Sequence, residues 1–199
     1  MQFVWGYAPT LIIEAAVRHR VFDLLDESPK TIKELARKSG ASERGLTAIA
    51  NALVGLNFLS RKGERYQLTP ESAAFLVSTK PAFLGGIYKH TATQLLPRWM
   101  ELNKVVRTGK PAIAVNSPKP GAAFFAHFVE ALFPMGYQAA QMLGEHLKIS
   151  QSKKPVNVLD IAAGSGVWGI ALAQQSPLVR ISAVDWPDVL KVTKKVAKR

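Results

Sequence analysis

The chain has 199 residues, 48% hydrophobic and 20% charged, and its 26 Lys and Arg against 14 Asp and Glu leave a formal charge of +12. That length suits one large domain or two small ones, and the apolar fraction is too high for a disordered chain. The absence of cysteine excludes a disulfide framework, a thiolate zinc site and a cysteine nucleophile. No apolar run nears the ~18 residues of a membrane span. The opening MQFVWGYAPTLIIEAAV has no basic start and meets Glu14 early, a poor signal peptide, so a cytoplasmic protein is expected.

The elements follow in order. Leu11, Ile12, Ala15, Ala16, Phe22 and Leu25 recur at helical spacing and predict one helix over Thr10–Leu25, broken by Ser28-Pro29. Thr31-Ile32-Lys33-Glu34 has capping-box form and opens a short helix that stops at Gly40. Ser42 caps a third helix through Leu56, with Leu46, Ile49, Ala50, Leu53 and Val54 as its apolar stripe. Phe58–Arg61 and Arg65–Leu68 read as strands turned at Lys62-Gly63-Glu64. Three helices and a hairpin are the plan of a winged helix. Thr69-Pro70-Glu71 starts a further helix, and after a break over Pro81–Gly86 a longer one runs to about Arg107. VNSPKPG is expected to be a loop. Ala122 to about Leu147 reads as helix, kinked or interrupted near Pro134-Met135-Gly136, and Ser150–Pro155 as a linker.

The composition changes at Val156. A β-run over residues 156–161 is followed by a loop of small residues, Ala162 to Gly166, and a helix from Val167 to Gln175. Val179–Asp185 is a second β-run, and Pro187 opens a helix predicted to reach Arg199. The order β-α-β-α is the opening of a doubly wound sheet.

Gly164-Ser165-Gly166-Val167-Trp168-Gly169 fits G-x-G-x-x-G after a strand and at the start of a helix, and Asp185 ends the next strand. Glycines let backbone N–H groups approach a ligand, and a carboxylate at the second strand's end can accept from both ribose hydroxyls. These residues predict a nucleoside-cofactor site. A dinucleotide would set its pyrophosphate near Asp160, which closes the first strand and would repel it. An acid there suits a sulfonium or ammonium group, which favours S-adenosylmethionine over NAD.

VLDIAAGSGVWGIALAQ followed by AVDWPDVL resembles the first two motifs of class I S-adenosylmethionine-dependent O-methyltransferases. The likeness is to bacterial small-molecule enzymes related to caffeate and carotenoid O-methyltransferases. VFDLLDESPKTIKELARKSGASERGLTAIANALVGLNFL and YQLTPESAAFLV resemble the same family, so the likeness spans nearly the whole chain. It implies a mainly α, winged-helix-type dimerisation domain over residues 1–110, a helical connection over 111–155, and the first part of a Rossmann-like cofactor domain over 156–199. Asp160, Ala162, Gly164, Ser165 and Gly166 would form the cofactor loop, with Asp185 on the ribose and Trp186 beside the adenine. Ala162 stands where many relatives have glycine.

The resemblance also implies a sheet of about seven strands, of which two are present, and a catalytic base on later strands. The chain is therefore expected to be C-terminally truncated, with its catalytic residues downstream of Arg199 and no methyl transfer by itself. The expected partners are a small-molecule hydroxyl acceptor and a second copy, held through the N-terminal domain with Trp5 and Tyr7 at the interface; no membrane is expected.

Two features have simpler readings, and two other functions compete. His19, His90, His127 and His146 are scattered, so no metal site is expected. Phe124, Phe125, Phe128 and Phe133 around His127 read as core packing ahead of a substrate-pocket wall. A winged-helix transcriptional regulator is the competing function. The net charge of +3 over residues 1–80, +4 over 81–150 and +5 over 151–199 concentrates in no domain, however, and Glu43–Leu56 offers few side chains to base edges, so nucleic acid is not an expected partner. A non-catalytic dimerisation module is the third reading.

Overall fold

The computed structural model describes residues 2–198; Arg199, where the last predicted helix was to end, lies outside them. The chain is mainly helical and divides into two compact units, residues 1–99 and 100–199. The division falls ahead of the expected domain end at residue 110.

The first unit holds α1 (Gln2–Trp5), α2 (Ala8–Arg18), α3 (Val21–Glu27), α4 (Ile32–Ser39) and α5 (Glu43–Gly55), then β1 (Leu59–Lys62), β2 (Arg65–Leu68) and α6 (Pro70–Phe75). The single helix expected over Thr10–Leu25 is two helices, because Arg20 adopts a left-handed φ of 57°. Apolar spacing cannot signal such a turn when no glycine or proline marks it. The turn lets Ile13 and Ala16 of α2 share one core with Val21, Phe22, Leu24 and Leu25 of α3.

The capping box of α4 is complete: Glu34 N–H donates to Thr31 Oγ1 at 3.3 Å, and Thr31 N–H donates to Glu34 Oε2 at 2.7 Å. Ser42 caps α5 through Gly45 N–H at 3.1 Å. Leu46, Ala50 and Leu53 of α5 pack inward on Leu35 of α4 and Leu59 of β1 in the same core. The hairpin pairs Leu59 with Leu68 and Lys62 with Arg65. Backbone bonds between Lys30 and Tyr66 tie β2 to the segment before α4.

α7 (Gly85–His90) continues through a π-helical turn, Thr91–Leu95, into α8 (Leu96–Trp99). The long helix expected to reach Arg107 breaks after Trp99, and α9 (Leu102–Thr108) belongs to the second unit.

In that unit α10 (Pro118–Ala126) begins inside the expected VNSPKPG loop. Pro118 sits at the helix start, where a missing N–H costs nothing, so the proline that reads as a breaker is an initiator here. The predicted helix over Ala122–Leu147 is interrupted at His127-Phe128. A 3₁₀ turn, Val129–Leu132, then leads into α11 (Phe133–His146), with Pro134 in its first turn.

β3 (Val156–Ile161), α12 (Val167–Ala173), β4 (Val179–Val184) and α13 (Pro187–Val196) follow. β3 and β4 pair in parallel from Val156↔Val179 to Ile161↔Val184. α11 packs on α12, where Gly136 meets Val167 and Gly144 meets the Gln175 side chain. Ile149, Leu172 and Val179 are buried together, with Val158 and Ile181 against them. Strand alternation sends Leu159, Ile161 and Val184 the other way, and they are 62%, 71% and 50% exposed.

Candidate functional site

The loop between β3 and α12 is shaped by three left-handed residues at alternate positions: Ala162 at φ 57°, Gly164 at 57° and Gly166 at 79°. Glycine takes this conformation freely, whereas for an alanine it costs about 1–2 kcal/mol. Ala162 therefore holds a glycine's conformation, the one departure from the expected motif. The loop closes on itself through Gly166 N–H to Ala163 O at 2.7 Å and is tied to β4 through Ala163 N–H to Val184 O at 3.2 Å. Ser165 is buried within it.

Asp185, just past β4, grips this loop. Its Oδ2 accepts from Gly164 N–H at 2.8 Å and its Oδ1 from Trp186 N–H at 2.7 Å. An ionised carboxylate offers about four acceptor positions, so the two amides leave capacity for two hydroxyls.

Asp160 is placed differently. It lies on the strand face covered by helices, and its Oδ2 accepts from Gly169 N–H at 3.2 Å. Gly169 is in the first turn of α12, whose N-cap, Gly166, has no side chain to offer. Asp160 thus serves as a remote cap for an orphan N–H. A Cβ on Gly169 would stand 2.8 Å from Ile181 and 3.2 Å from Asp160 Oδ2, so the third glycine of the motif is what lets the helix approach the sheet.

Burial pushes the Asp160 carboxyl above its ordinary value; the Gly169 bond opposes this, and the charge of Asp185 adds to it. Asp160 and Gly166 line a cleft of about 420 Å³ with Ile181 and Thr193.

The Trp186 ring packs against Gly121 of α10, where a Cβ would collide with it, and lies 5.8 Å from the Phe125 ring. Phe125 stands edge-on to Phe124 at 5.2 Å and tilted to Phe128 at 5.8 Å. Phe133 stacks on Tyr137.

Two residues that carry the loop escaped the sequence reading. Thr193 of α13 donates its hydroxyl to Gly164 O at 2.7 Å, and Val129 of the 3₁₀ turn lies over Gly164. The available signal for Thr193 was a hydroxyl four residues after Val189, on the buried face of α13.

Three polar side chains of α5 and the hairpin make contacts within the chain. Asn51 of α5 accepts from Tyr66 Oη at 2.7 Å, Arg61 lies over the Tyr66 ring and bonds Gly63 O, and Arg65 pairs with Glu34 at 3.0 Å. Among the described residues no helix is long and apolar enough to cross a membrane, and no three His, Asp or Glu side chains gather as metal ligands would.

Comparison with known proteins shows what the chain is similar to. A model of the O-methyltransferase dimerisation domain matches residues 1–78. Beyond it, the chain is 27% identical over 190 residues to the 3-hydroxy-5-methyl-1-naphthoate 3-O-methyltransferase of Streptomyces sahachiroi, across 92% of this chain and 54% of that protein. A crystal structure assigned to an O-methyltransferase of Nostoc punctiforme superposes with a TM-score of 0.83 at 31% identity, over 99% of this chain and 59% of that one. The fold is also that of human N-acetylserotonin methyltransferase in complex with S-adenosylmethionine, with a TM-score of 0.77 at 22% identity over 98% of this chain and 60% of that one. The chain spans about half the length of the curated relatives it matches.

Proposed function

We propose that this chain is the cofactor-binding N-terminal part of an S-adenosylmethionine-dependent O-methyltransferase that acts on the hydroxyl group of a small molecule. In this reading residues 1–99 are a winged-helix-type dimerisation unit, and residues 156–198 are the opening β-α-β-α of a Rossmann-like domain. The observation that carries it is the pair of carboxylates, Asp185 bonded to Gly164 N–H and Asp160 bonded to Gly169 N–H, on either side of a loop held in left-handed backbone geometry. Two acids flanking one glycine loop favour a cation and disfavour a pyrophosphate.

When bound, S-adenosylmethionine supplies an electrophilic methyl group on a positively charged sulfur. The chain's own residues hold it. Asp185 accepts from the ribose hydroxyls while still bonded to Gly164 N–H, Ala162 to Gly166 bring backbone close to the cofactor, and Trp186 flanks the adenine. Asp160 supplies negative potential from beneath α12. The reading assigns this chain cofactor binding. Phe3, Trp5 and Tyr7, exposed by 97%, 58% and 50%, form an apolar N-terminal surface that suits a homodimer contact.

Calorimetry with S-adenosylhomocysteine and with NAD tests the assignment. S-adenosylhomocysteine is expected to bind in preference to NAD. Asp185→Ala removes charge-assisted bonds of about 1.5–3 kcal/mol, so it should weaken that binding about 10- to 100-fold. Tighter binding of NAD, or equal affinity in the variant, contradicts the assignment.

A further inference from the structure

We infer that Thr193 of α13 is a positioning residue for the cofactor loop, acting through the Gly164 peptide. The inference rests on the cofactor reading above and adds a residue that no part of the glycine motif contains. Gly164 is held at both ends of its residue: its N–H donates to Asp185 Oδ2 at 2.8 Å, and its carbonyl accepts from Thr193 Oγ1 at 2.7 Å. The hydroxyl also lies 3.2 Å from Val189 O, the i−4 carbonyl of its own helix, but the bond to the loop is the shorter one. The methyl group has a separate task. A Cβ on Gly166 would stand 2.7 Å from Thr193 Cγ2, so the methyl packs directly beneath the second glycine of the loop.

Thr193 is only 8% exposed, which makes its hydroxyl a buried polar group committed to this contact. α13 is itself anchored: Val189 is fully buried, and Lys195 pairs with Glu130 of the 3₁₀ turn at 2.9 Å. That same turn places Val129 over Gly164. A left-handed residue flanked by small side chains has little to fix the plane of its peptides. Asp185 fixes one side of Gly164 and Thr193 the other. Rotation of the Gly164 carbonyl would turn the Ser165 N–H in the same peptide plane, and so change what the loop presents to a ligand. Thr193 therefore sets loop geometry through the Gly164 peptide.

The test compares S-adenosylhomocysteine affinity, by calorimetry on the full chain, for Thr193→Ser, Thr193→Val and Thr193→Ala. Val189→Ala serves as the control that loosens α13 without removing the loop bond. Serine keeps the hydroxyl and should bind within about threefold of the parent; valine and alanine should bind about tenfold more weakly, the worth of one neutral hydrogen bond. Val189→Ala should lower thermal stability and leave affinity within about twofold. If the valine variant does not fold, the serine and alanine pair carries the comparison. Affinity that is the same with and without the hydroxyl, or that falls as far in Val189→Ala, overturns the inference while leaving the cofactor assignment standing. Failure of the parent chain to bind S-adenosylhomocysteine overturns both.

Discussion

The two units bury their apolar residues in different ways. In residues 1–99, α2, α3, α4, α5, the hairpin and the segment after α6 close around one continuous core, with Leu35 and Leu53 at 0% exposure and Phe22 at 1%. Each element presents one apolar face, and each face finds a partner. In residues 100–199 the buried group around the sheet is small, Ile149, Leu172 and Val179, and the side of the sheet carrying Leu159, Ile161 and Val184 is open among the described residues. Parallel sheets are ordinarily covered on both faces. The first unit thus takes its stability from packing. The second is organised around polar bonds that hold one loop, from Asp185, Asp160 and Thr193 to backbone groups.

The largest expected effect separates these two modes. Leu53→Ala empties a fully enclosed position and should cost about 2–5 kcal/mol, whereas Leu159→Ala on the open sheet face should stay within about 0.5 kcal/mol. Hydrogen exchange read separately in β2 and β3 distinguishes the units. Equal losses would mean that the sheet face is covered in solution and would erase the contrast. A smaller change is expected at Ala162, where glycine relieves left-handed strain but adds unfolded-state freedom, for a net stabilisation of about 0.5–1 kcal/mol in the second unit. A loss of stability there would show that the alanine methyl makes a needed contact.

The smallest effect is the response to pH, which should differ in sign between the units. Glu34 is held below its ordinary value, first by the Thr31 N–H, then by the Thr31 hydroxyl, with Arg65 assisting against partial burial. Its contribution is present above the ordinary glutamate value and is lost as pH falls through the lowered one. Asp160 is shifted upward by burial, so its folded form favours the proton. Its contribution is present below the ordinary aspartate value and fades as pH rises through the raised one. Exchange measured from about pH 3 to 6 should show the capping-box helix weakening toward acid. Asp160→Asn, which keeps an acceptor for Gly169 N–H, should flatten the opposite trend in the second unit. A parallel response of both units to acid would rule this out.

Local chemistry explains which parts were legible beforehand. The capping box at Thr31, the cap at Ser42, the turn at Gly63 and the β-run over residues 156–161 depend on side chains within a few positions of one another, and each stands where the pattern placed it. The break at Arg20 and the helical start at Pro118 did not follow from pattern. A left-handed arginine is selected by the core that α2 and α3 must share, and a proline serves equally as a stop or a start until its neighbours decide. The glycine loop and Asp185 were legible because strand, loop, helix and acid keep a short spacing. The direction of Asp160 toward α12 and the bond from Thr193 were not, because each depends on a helix lying across a strand.

By itself, then, the amino-acid order determined most of the element types, the strand–loop–helix order and the places of Asp160 and Asp185 along it, because these arise from periodicity and from groups adjacent in the chain. Only the tertiary structure decided which acid grips the loop, which caps a helix and which hydroxyl holds the Gly164 carbonyl. Those assignments belong to residues 9 to 29 positions apart, brought within hydrogen-bond distance by packing that no local pattern encodes.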